Sequence, residues 1–312
     1  MKFFFTILVS CLLALALFSF ADRPIQTAEQ LGERLFSDPI LSLDSTISCA
    51  SCHIPAFAFC DTALFSQGVG GRLGRRNSPS IMNMGARPHF FYDGRAATLE
   101  QQVLMPIQDT VEMRASLALV TERLRRHEEY NAAFRHIYGQ APDSDKLAVV
   151  LAAFVRTLET SNTPFDRWMQ GKPNPMGEAA VRGREVFMKK GKCFDCHFSP
   201  DFTGDEFRNV GLYTGRRNLA DRGRFDITRD SADLGKFKVP GLRNVALTAP
   251  YMHNGMFLTL EDVIEFYDVP NQTVPGGINR DTLLNFPLNL SVEEKSDLKT
   301  FLEALTDDRF KR

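Results

Sequence analysis

One short pattern, Cys-x-x-Cys-His, occurs twice in this chain and constrains its fold more than any other feature. The pattern is the attachment signature of a c-type haem. Its two thiols form thioether bonds with the haem vinyl groups, and the adjacent histidine binds the iron from the proximal side. We therefore predict two covalently bound haem c groups, one in each half. The residues that would hold them are Cys49, Cys52 and His53 in the first half, and Cys193, Cys196 and His197 in the second.

A zinc site and a redox dithiol also use closely spaced cysteines, but both fit this sequence less well. A zinc site would need the two halves to pool their cysteines and histidines. A redox dithiol lacks the following histidine and belongs to a βαβ context that this sequence does not show. The chain has 6 cysteines, too few for a disulfide scaffold. Cys60 is predicted to be a buried free thiol, because its only other partner would be Cys11 in the N-terminal apolar run.

A second pair of similar segments lies around Gly94 and Gly255, which are 161 residues apart. The same spacing separates Glu100 from Glu261. Each half thus carries the same two elements in the same order, and the chain is predicted to be a tandem duplication with one site per half.

The second axial position on each iron separates a catalyst from an electron carrier. The 161-residue spacing pairs Tyr267 with Pro106. A tyrosine phenolate can bind iron, whereas proline has no ligating side chain, so the first haem would be open and the second closed. Met252 and Met256 are the alternative ligands of the second iron. His253 is predicted to lie near that haem as a hydrogen-bond donor rather than a ligand.

The hydrophobic pattern predicts a mostly α fold of two cytochrome c-like haem domains in tandem, with long loops. No segment shows the sustained alternation of a strand. Long Gly-, Pro- and Asn-rich loops cover 66–95 and 198–256, and His127 and His136 are predicted to face solvent. The predicted helices span 27–37, 117–137 (as one or two), 144–169, 176–190, 259–268 and 291–305.

Three segments are expected along the 312 residues. Residues 1–21 are predicted to be a cleaved signal peptide, since Lys2 precedes an apolar run and Ser19-Phe20-Ala21 supplies small residues before a cleavage site. An uncleaved anchor is the alternative. Residues 22–170 would form the N-terminal cytochrome c-like domain and residues 171–312 the C-terminal one. We therefore expect the protein in the periplasm.

The charge balance argues against nucleic acid as a partner. The chain has 37 basic and 38 acidic residues, which gives a net charge of -1. No global basic field is present to hold a polyanion.

Several segments resemble the bacterial dihaem cytochrome c peroxidases and their MauG relatives, over essentially the whole mature chain. They are 76–79, 99–113, 239–244, 248–255 and 260–267. The resemblance implies that Gln102, Pro106 and Glu112 form the distal pocket of the first haem. Glu112 would move a proton between the two oxygens of a peroxide. It also implies that Tyr92 stands between the haems as an electron relay, at a position where the family commonly has tryptophan.

The resemblance further implies a Ca²⁺ ion between the domains. Its ligands would be the side-chain oxygen of Asn77 and main-chain oxygens at Thr248 and Pro250, the oxygen donors that a hard cation prefers.

Two departures from the peroxidase pattern point to the MauG branch. Peroxidases carry a loop histidine that caps the active haem, and Val69 stands at that position here. They also place methionine where this chain has Tyr267, and tyrosine is the MauG arrangement. Both changes imply that reductive activation is unnecessary and that the second haem suits storage of an oxidising equivalent.

The sequence supports three functions, of which peroxide reduction ranks first. The first haem would reduce hydrogen peroxide with electrons relayed through the second haem from a small periplasmic cytochrome c or cupredoxin. The first alternative is a MauG-like oxidase that uses a high-valent dihaem state to oxidise residues of a partner protein. The second is a pure electron-transfer cytochrome. A monomer or a homodimer is expected.

Overall fold

The computed structural model describes residues 24–173 and 175–311. The predicted signal peptide, residues 1–21, lies outside the described residues. Within them, the chain is mostly helical, as predicted. The helices are α1 (Ala28–Ser37), α2 (Leu99–Gln108), α3 (Leu117–Arg126), α4 (Glu128–Tyr138), α5 (Ser144–Thr157), α6 (Pro164–Met169), α7 (Glu178–Met188), α8 (Phe225–Thr228), α9 (Leu260–Asp268), α10 (Pro270–Thr273) and α11 (Val292–Glu303).

The first half is built around helix α1 packed on α5. Thr27 caps α1 through a reciprocal pair of hydrogen bonds with Gln30, as the Thr-x-x-Gln pattern predicts. Gly32 faces α5 so closely that a Cβ atom would lie 2.0 Å from the carbonyl oxygen of Val150. Leu31 and Leu147, among other side chains, are fully buried in the resulting core.

The second half repeats this design with helices α7 and α11. A Cβ atom on Gly183 would lie 1.9 Å from the carbonyl oxygen of Asp297 in α11. Phe187 and Phe301 stack edge to face in the buried core, with ring centroids 5.2 Å apart. The two halves therefore have separate hydrophobic cores, each with a close helix pair.

Two helix predictions are corrected by the structure. The segment 144–169 forms two helices rather than one, because the chain leaves α5 at Leu158 and Thr163 caps a new helix that begins at Pro164. Helix α2 was not predicted, since it contains Pro106. The segment 117–137 forms two helices that meet at His127, whose side chain caps α4.

Helix α6 packs within the second half, although it precedes the predicted domain boundary. The Phe165 N–H donates to the Ala304 carbonyl oxygen at 3.2 Å, and its ring lies 5.0 Å from that of Phe202. Trp168 packs in the same cluster, beneath the Arg184 guanidinium. Trp168 therefore packs against the core of the second half.

The described strands are short. Strands β1 (Phe207–Arg208) and β2 (Phe237–Lys238) pair antiparallel, with Phe207 opposite Lys238. Among the described residues, no helix combines the length and the apolar character needed to cross a membrane.

Candidate active site

Both Cys-x-x-Cys-His motifs fold as the same tight turn. The His53 N–H donates to the Cys49 carbonyl oxygen at 2.9 Å, and the His197 N–H donates to that of Cys193 at 2.9 Å. The thiols of all four motif cysteines are free. Each motif therefore presents two thiols and an imidazole from one turn, as covalent attachment of a haem requires.

The two motif imidazoles are oriented by carbonyl oxygens. His53 Nδ1 lies 3.1 Å from the Phe59 carbonyl oxygen, and His197 Nδ1 lies 2.9 Å from that of Phe202 and 3.1 Å from that of Pro240. Burial lowers the pKa of both histidines, which favours the neutral form. A carbonyl at Nδ1 fixes the proton there and leaves the Nε2 lone pair for a metal.

The internal duplication is visible in the backbone. Gly94 and Gly255 both have positive φ, +74° and +64° respectively, in turns of the same shape. Phe91 and Met252, also 161 residues apart, have φ of +64° and +71°. One antiparallel bridge closes each turn, between Phe90 and Ala96 in the first half and between Tyr251 and Phe257 in the second.

The same spacing relates helices α2 and α9. Thr98 caps α2 by accepting from the Gln101 N–H at 3.2 Å, and Thr259 caps α9 by accepting from the Asp262 N–H at 3.1 Å. Pro106 and Tyr267 then fall in equivalent turns, near the end of each helix. The structural repeat thus supports the pairing that the sequence predicts.

A cavity of about 330 Å³ joins the residues predicted to hold the second haem. Cys193, Cys196, His197 and Tyr267 all line it. Burial, and then the two nearby thiols, raise the pKa of Tyr267. Two thiols, an imidazole and a phenol around one cavity are the donor set that a haem c with histidine and tyrosine ligands needs, so these residues fit the group.

The two methionine alternatives occupy different places. Met252 lines the cavity as Tyr267 does. Met256 packs on the cluster formed by Phe257 and Phe266, and its sulfur lies 3.8 Å from Asn254 Nδ2. Met252 therefore remains an alternative to Tyr267 as the ligand of the second iron.

The predicted distal residues of the first haem come from α2 and the turn that follows it. Gln102 and Pro106 are one helical turn apart, and both are half-buried. The Met113 N–H donates to the Pro106 carbonyl oxygen at 3.2 Å, which folds the turn bearing Glu112 back onto the helix. The structure therefore brings the three predicted residues into one short segment.

Glu112 has the electrostatic environment of an acid–base group. Burial first, and then the charge of Asp109, raise the pKa of Glu112 to about 7. Burial is the main cause that raises the pKa of Cys49 and Cys52, and the Glu112 carboxylate raises both a little further, so it lies near the first motif. A carboxyl group with a pKa near 7 is poised to gain or lose a proton at neutral pH.

Val69 lies against the Glu112 segment. Its main-chain N–H donates to the Glu112 carbonyl oxygen at 2.8 Å, and its side chain is buried. Gly68 touches the same backbone, since a Cβ there would lie 2.4 Å from the Glu112 carbonyl oxygen. The loop position that carries histidine in the peroxidases is thus beside the candidate distal residue.

Tyr92 reaches the second-haem cavity from the first half. Its carbonyl oxygen accepts from the Lys238 N–H at 2.7 Å, and burial raises the pKa of its phenol. The next residue, Asp93, accepts from Arg76 at 2.6 Å, and Arg76 also forms a bidentate pair with Asp221 at 2.7 and 2.8 Å. This network fixes Tyr92 at the junction of the two halves.

His253 also lines the second cavity and is buried. Its ring stacks on Phe237 with centroids 3.8 Å apart. Burial lowers its pKa to about 4, so the ring is neutral. The ring therefore lies at the second site, held by stacking, and its role as a hydrogen-bond donor stays a prediction.

The predicted calcium residues lie along the same cavity. Asn77, Thr248 and Pro250 all line it. The Asn77 N–H donates to the His253 carbonyl oxygen at 2.9 Å, and Asn77 Nδ2 donates to that of Ala63 at 3.1 Å. Because the Asn77 amide donates through Nδ2, its oxygen is the atom of this side chain that a hard cation could bind.

Two features of the site were not predicted from the sequence. Arg76 belongs to one of the segments that carry the resemblance, yet only the fold reveals its pairs with Asp93 and Asp221. Lys238 lines the second cavity together with the paired side chains of Arg87 and Asp205. Its sequence context, a lysine before Val239 and Pro240, gives no signal of that position.

Comparison with known proteins supports the same class. The family described as di-haem cytochrome c peroxidase matches residues 26–174. The MauG protein of Methylorubrum extorquens is 37% identical over 280 residues, 88% of this chain and 77% of its own length. The cytochrome-c peroxidase IdrP1 of Denitromonas iodatirespirans is 34% identical, over 92% of this chain and 83% of its length.

A solved structure has the same fold. The crystal structure of a MauG-like protein associated with microbial copper homeostasis superimposes with a TM-score of 0.82 at 31% identity. The match covers 93% of this chain and 95% of that one.

Two haem-attachment turns in duplicated helical halves define a dihaem c-type cytochrome with tandem haem domains. The chain belongs to the dihaem cytochrome c peroxidase and MauG family. It is therefore a haem peroxidase-type oxidoreductase.

Proposed function

We propose that the protein reduces hydrogen peroxide at its first haem, with electrons that enter through the second. Each peroxide takes up two electrons and two protons and yields two water molecules. The observation that carries the proposal is Glu112, a half-buried carboxyl with a pKa of about 7 beside the first motif. A proton must leave the inner peroxide oxygen and reach the outer one, and Glu112 can perform both transfers.

The other distal residues would keep the first haem accessible and orient the peroxide. The first haem, held by Cys49, Cys52 and His53, would supply the iron that binds peroxide and passes electrons to it. Pro106 has no ligating side chain, which leaves space for substrate. The amide of Gln102, one turn earlier on α2, would orient the peroxide by a hydrogen bond.

Electron supply would come from a small periplasmic cytochrome c or cupredoxin. His197 and Tyr267 would hold the second iron, and Tyr92 would relay electrons from that cavity toward the first half. Oxidation of tyrosine requires loss of its phenolic proton, and burial raises the pKa of Tyr92. The relay is therefore expected to depend on proton release.

The deciding experiment measures peroxide turnover by the fully oxidised protein loaded with both haems. The assay is run with and without a reduced small cytochrome c. Rapid turnover that depends on the donor is expected, without prior reduction of the protein. Absence of turnover with every donor of this class would contradict the proposal.

A MauG-like oxidase is the second candidate. Tyr267 in the second cavity and Val69 beside Glu112 favour it. An anionic phenolate stabilises oxidised iron, so the protein could hold an oxidising equivalent and withdraw electrons from residues of a partner protein. Slow donor-linked turnover, with a long-lived oxidised form after peroxide alone, would favour this function.

A bound Ca²⁺ and export to the periplasm complete the proposal. Asn77, Thr248 and Pro250 would hold the ion between the halves. Removal of calcium by a chelator should lower the melting temperature, and Asn77→Ala should abolish that sensitivity.

N-terminal sequencing of the protein from a periplasmic extract should give a chain that begins at Asp22.

A further inference from the structure

Lys238 has an unusual position at the junction of the two halves. It ends strand β2, and its side chain lines the second-haem cavity. Its main-chain N–H donates to the Tyr92 carbonyl oxygen at 2.7 Å, and its Nζ donates to the His89 carbonyl oxygen at 3.0 Å. The ammonium of Lys238, a residue of the second half, is thus held by His89, a residue of the first half.

The Lys238 ammonium has no carboxylate within 4.0 Å among residues 24–173 and 175–311. The arginines that line the same cavity are all paired. Arg87 pairs with Asp201 and Asp205, Arg208 pairs with Asp281, and Arg243 pairs with Asp166. Burial lowers the pKa of Lys238 to about 8; Asp205 attracts the ammonium and Arg87 repels it.

A partly buried ammonium that has no carboxylate in direct contact is unfavourable, so an anion from outside the polypeptide is expected here. A haem c carries two propionate carboxylates, on the side of the macrocycle opposite its vinyl groups. The cysteines that fix the vinyl side, Cys193 and Cys196, belong to the second half. Lys238 lines the same cavity as these cysteines and can meet the haem from the wall where the two halves join.

We propose that the Lys238 ammonium is the counter-ion of a propionate of the second haem and raises the reduction potential of that haem. This inference rests on the haem that the family implies, and not on the reaction proposed above. A positive charge beside the haem disfavours ferric iron relative to ferrous iron. Its removal should therefore lower the midpoint potential of the second haem.

Three variants of the haem-loaded protein separate charge from structure. Lys238→Gln removes the charge but keeps a donor for the His89 carbonyl oxygen. Lys238→Arg keeps the charge. Lys236→Gln is the matched control, because Lys236 is two residues away and pairs with Asp233.

The measurement is a redox titration at pH 6, with each haem followed by its own absorption and EPR signals. At a fixed applied potential, Lys238→Gln should raise the ferric-to-ferrous ratio of the second haem roughly tenfold, which corresponds to 59 mV for one electron. Lys238→Arg and Lys236→Gln should stay within about twofold of the wild type. The first haem should change less than the second.

Two results would overturn the proposal. One is an unchanged potential of the second haem in Lys238→Gln. The other is an equal shift in Lys238→Gln and Lys238→Arg, which would mean that the side chain only shapes the loop around His89. If the glutamine variant does not retain both haems, resonance Raman spectra of Lys238→Arg decide the question. The propionate bending bands of the second haem should shift, and unchanged bands would refute the contact.

Discussion

The main-chain N–H of Val69 donates to the carbonyl oxygen of Glu112 at 2.8 Å. This hydrogen bond holds the Val69 loop against Glu112. The loop could cap the first haem, and Glu112 is expected to move protons at that haem. The side chain at position 69 is therefore predicted to decide whether the distal space is filled or open. Valine has no ligating atom, and its burial indicates that it packs within the protein rather than facing solvent.

Val69→His should therefore close the first site. The imidazole would add a ligand for the first iron beside Glu112, so the ferric protein should lose its high-spin EPR signal. Peroxide turnover by the oxidised protein should fall at least tenfold and should recover after reduction of the second haem. Val69→Leu is the control, since it adds volume without a ligand. A high-spin signal that survives in Val69→His would show that this loop does not reach the iron.

Glu112→Gln should lower peroxide turnover by roughly 10²-fold or more, because glutamine cannot accept and return a proton. The carboxylate must be ionised to take the first proton. With a pKa of about 7, turnover by the wild type should rise as the pH increases through about 7. Turnover that is unchanged in Glu112→Gln would assign the proton transfer to another group.

Asp109→Asn provides a matched test of that pH dependence. Asp109 raises the pKa of Glu112, and its removal should move the rising limb of the profile to lower pH. Asparagine keeps the acceptor for the Val111 N–H, now 2.9 Å from the Asp109 carboxylate. Therefore the turn should persist. A profile that does not move in Asp109→Asn would mean that Glu112 does not set it.

The haem attachment turns, the helical class and the duplication could all be predicted from the sequence, because each depends on local spacing. Helix α2 could not, since Pro106 is unfavourable in a helix when the surrounding structure is unknown. The break between α5 and α6 was also missed, although Thr163 and Pro164 carry a start signal. There the continuous apolar pattern outweighed the capping signal.

Contacts between the two halves could not be predicted from the sequence. Arg76 and Asp221 are 145 positions apart, and nothing in the sequence indicates that their side chains form a bidentate pair. The same holds for Lys238 and Tyr92, which the fold brings together across the junction. The roles predicted for Glu112, Gln102, Tyr92 and Tyr267 stay predictions, although the structure gives them compatible positions.

Tyr267→Phe tests the predicted ligand of the second iron. Loss of the phenolate should change the low-spin EPR signal of the second haem and raise its midpoint potential, because an anionic ligand stabilises ferric iron. Met252→Leu is the matched control, since Met252 lines the same cavity. If only Met252→Leu alters the signal, methionine is the ligand and the MauG-like assignment loses its main support.

Arg76→Gln should weaken the junction between the halves. The Arg76 guanidinium bonds Asp93 and Asp221 at once, and its loss removes the ion pair of Asp221 and leaves Asp93 with Arg95 alone. The free energy of unfolding should fall by on the order of 2 kcal/mol. Lys299→Gln is the control, because Lys299 pairs with Glu261 at a more exposed site and should cost less than about 1 kcal/mol. Denaturant unfolding of both variants measures the difference.

The same substitution should slow the transfer of an electron between the two haems, because Asp93 follows Tyr92 and Arg76 holds Asp93 in place. Flash photolysis of the haem-loaded protein measures that rate in Arg76→Gln and in the Lys299→Gln control, which should transfer electrons as the wild type does. An equal loss of stability in both variants, with unchanged transfer, would mean that this network does not organise the junction.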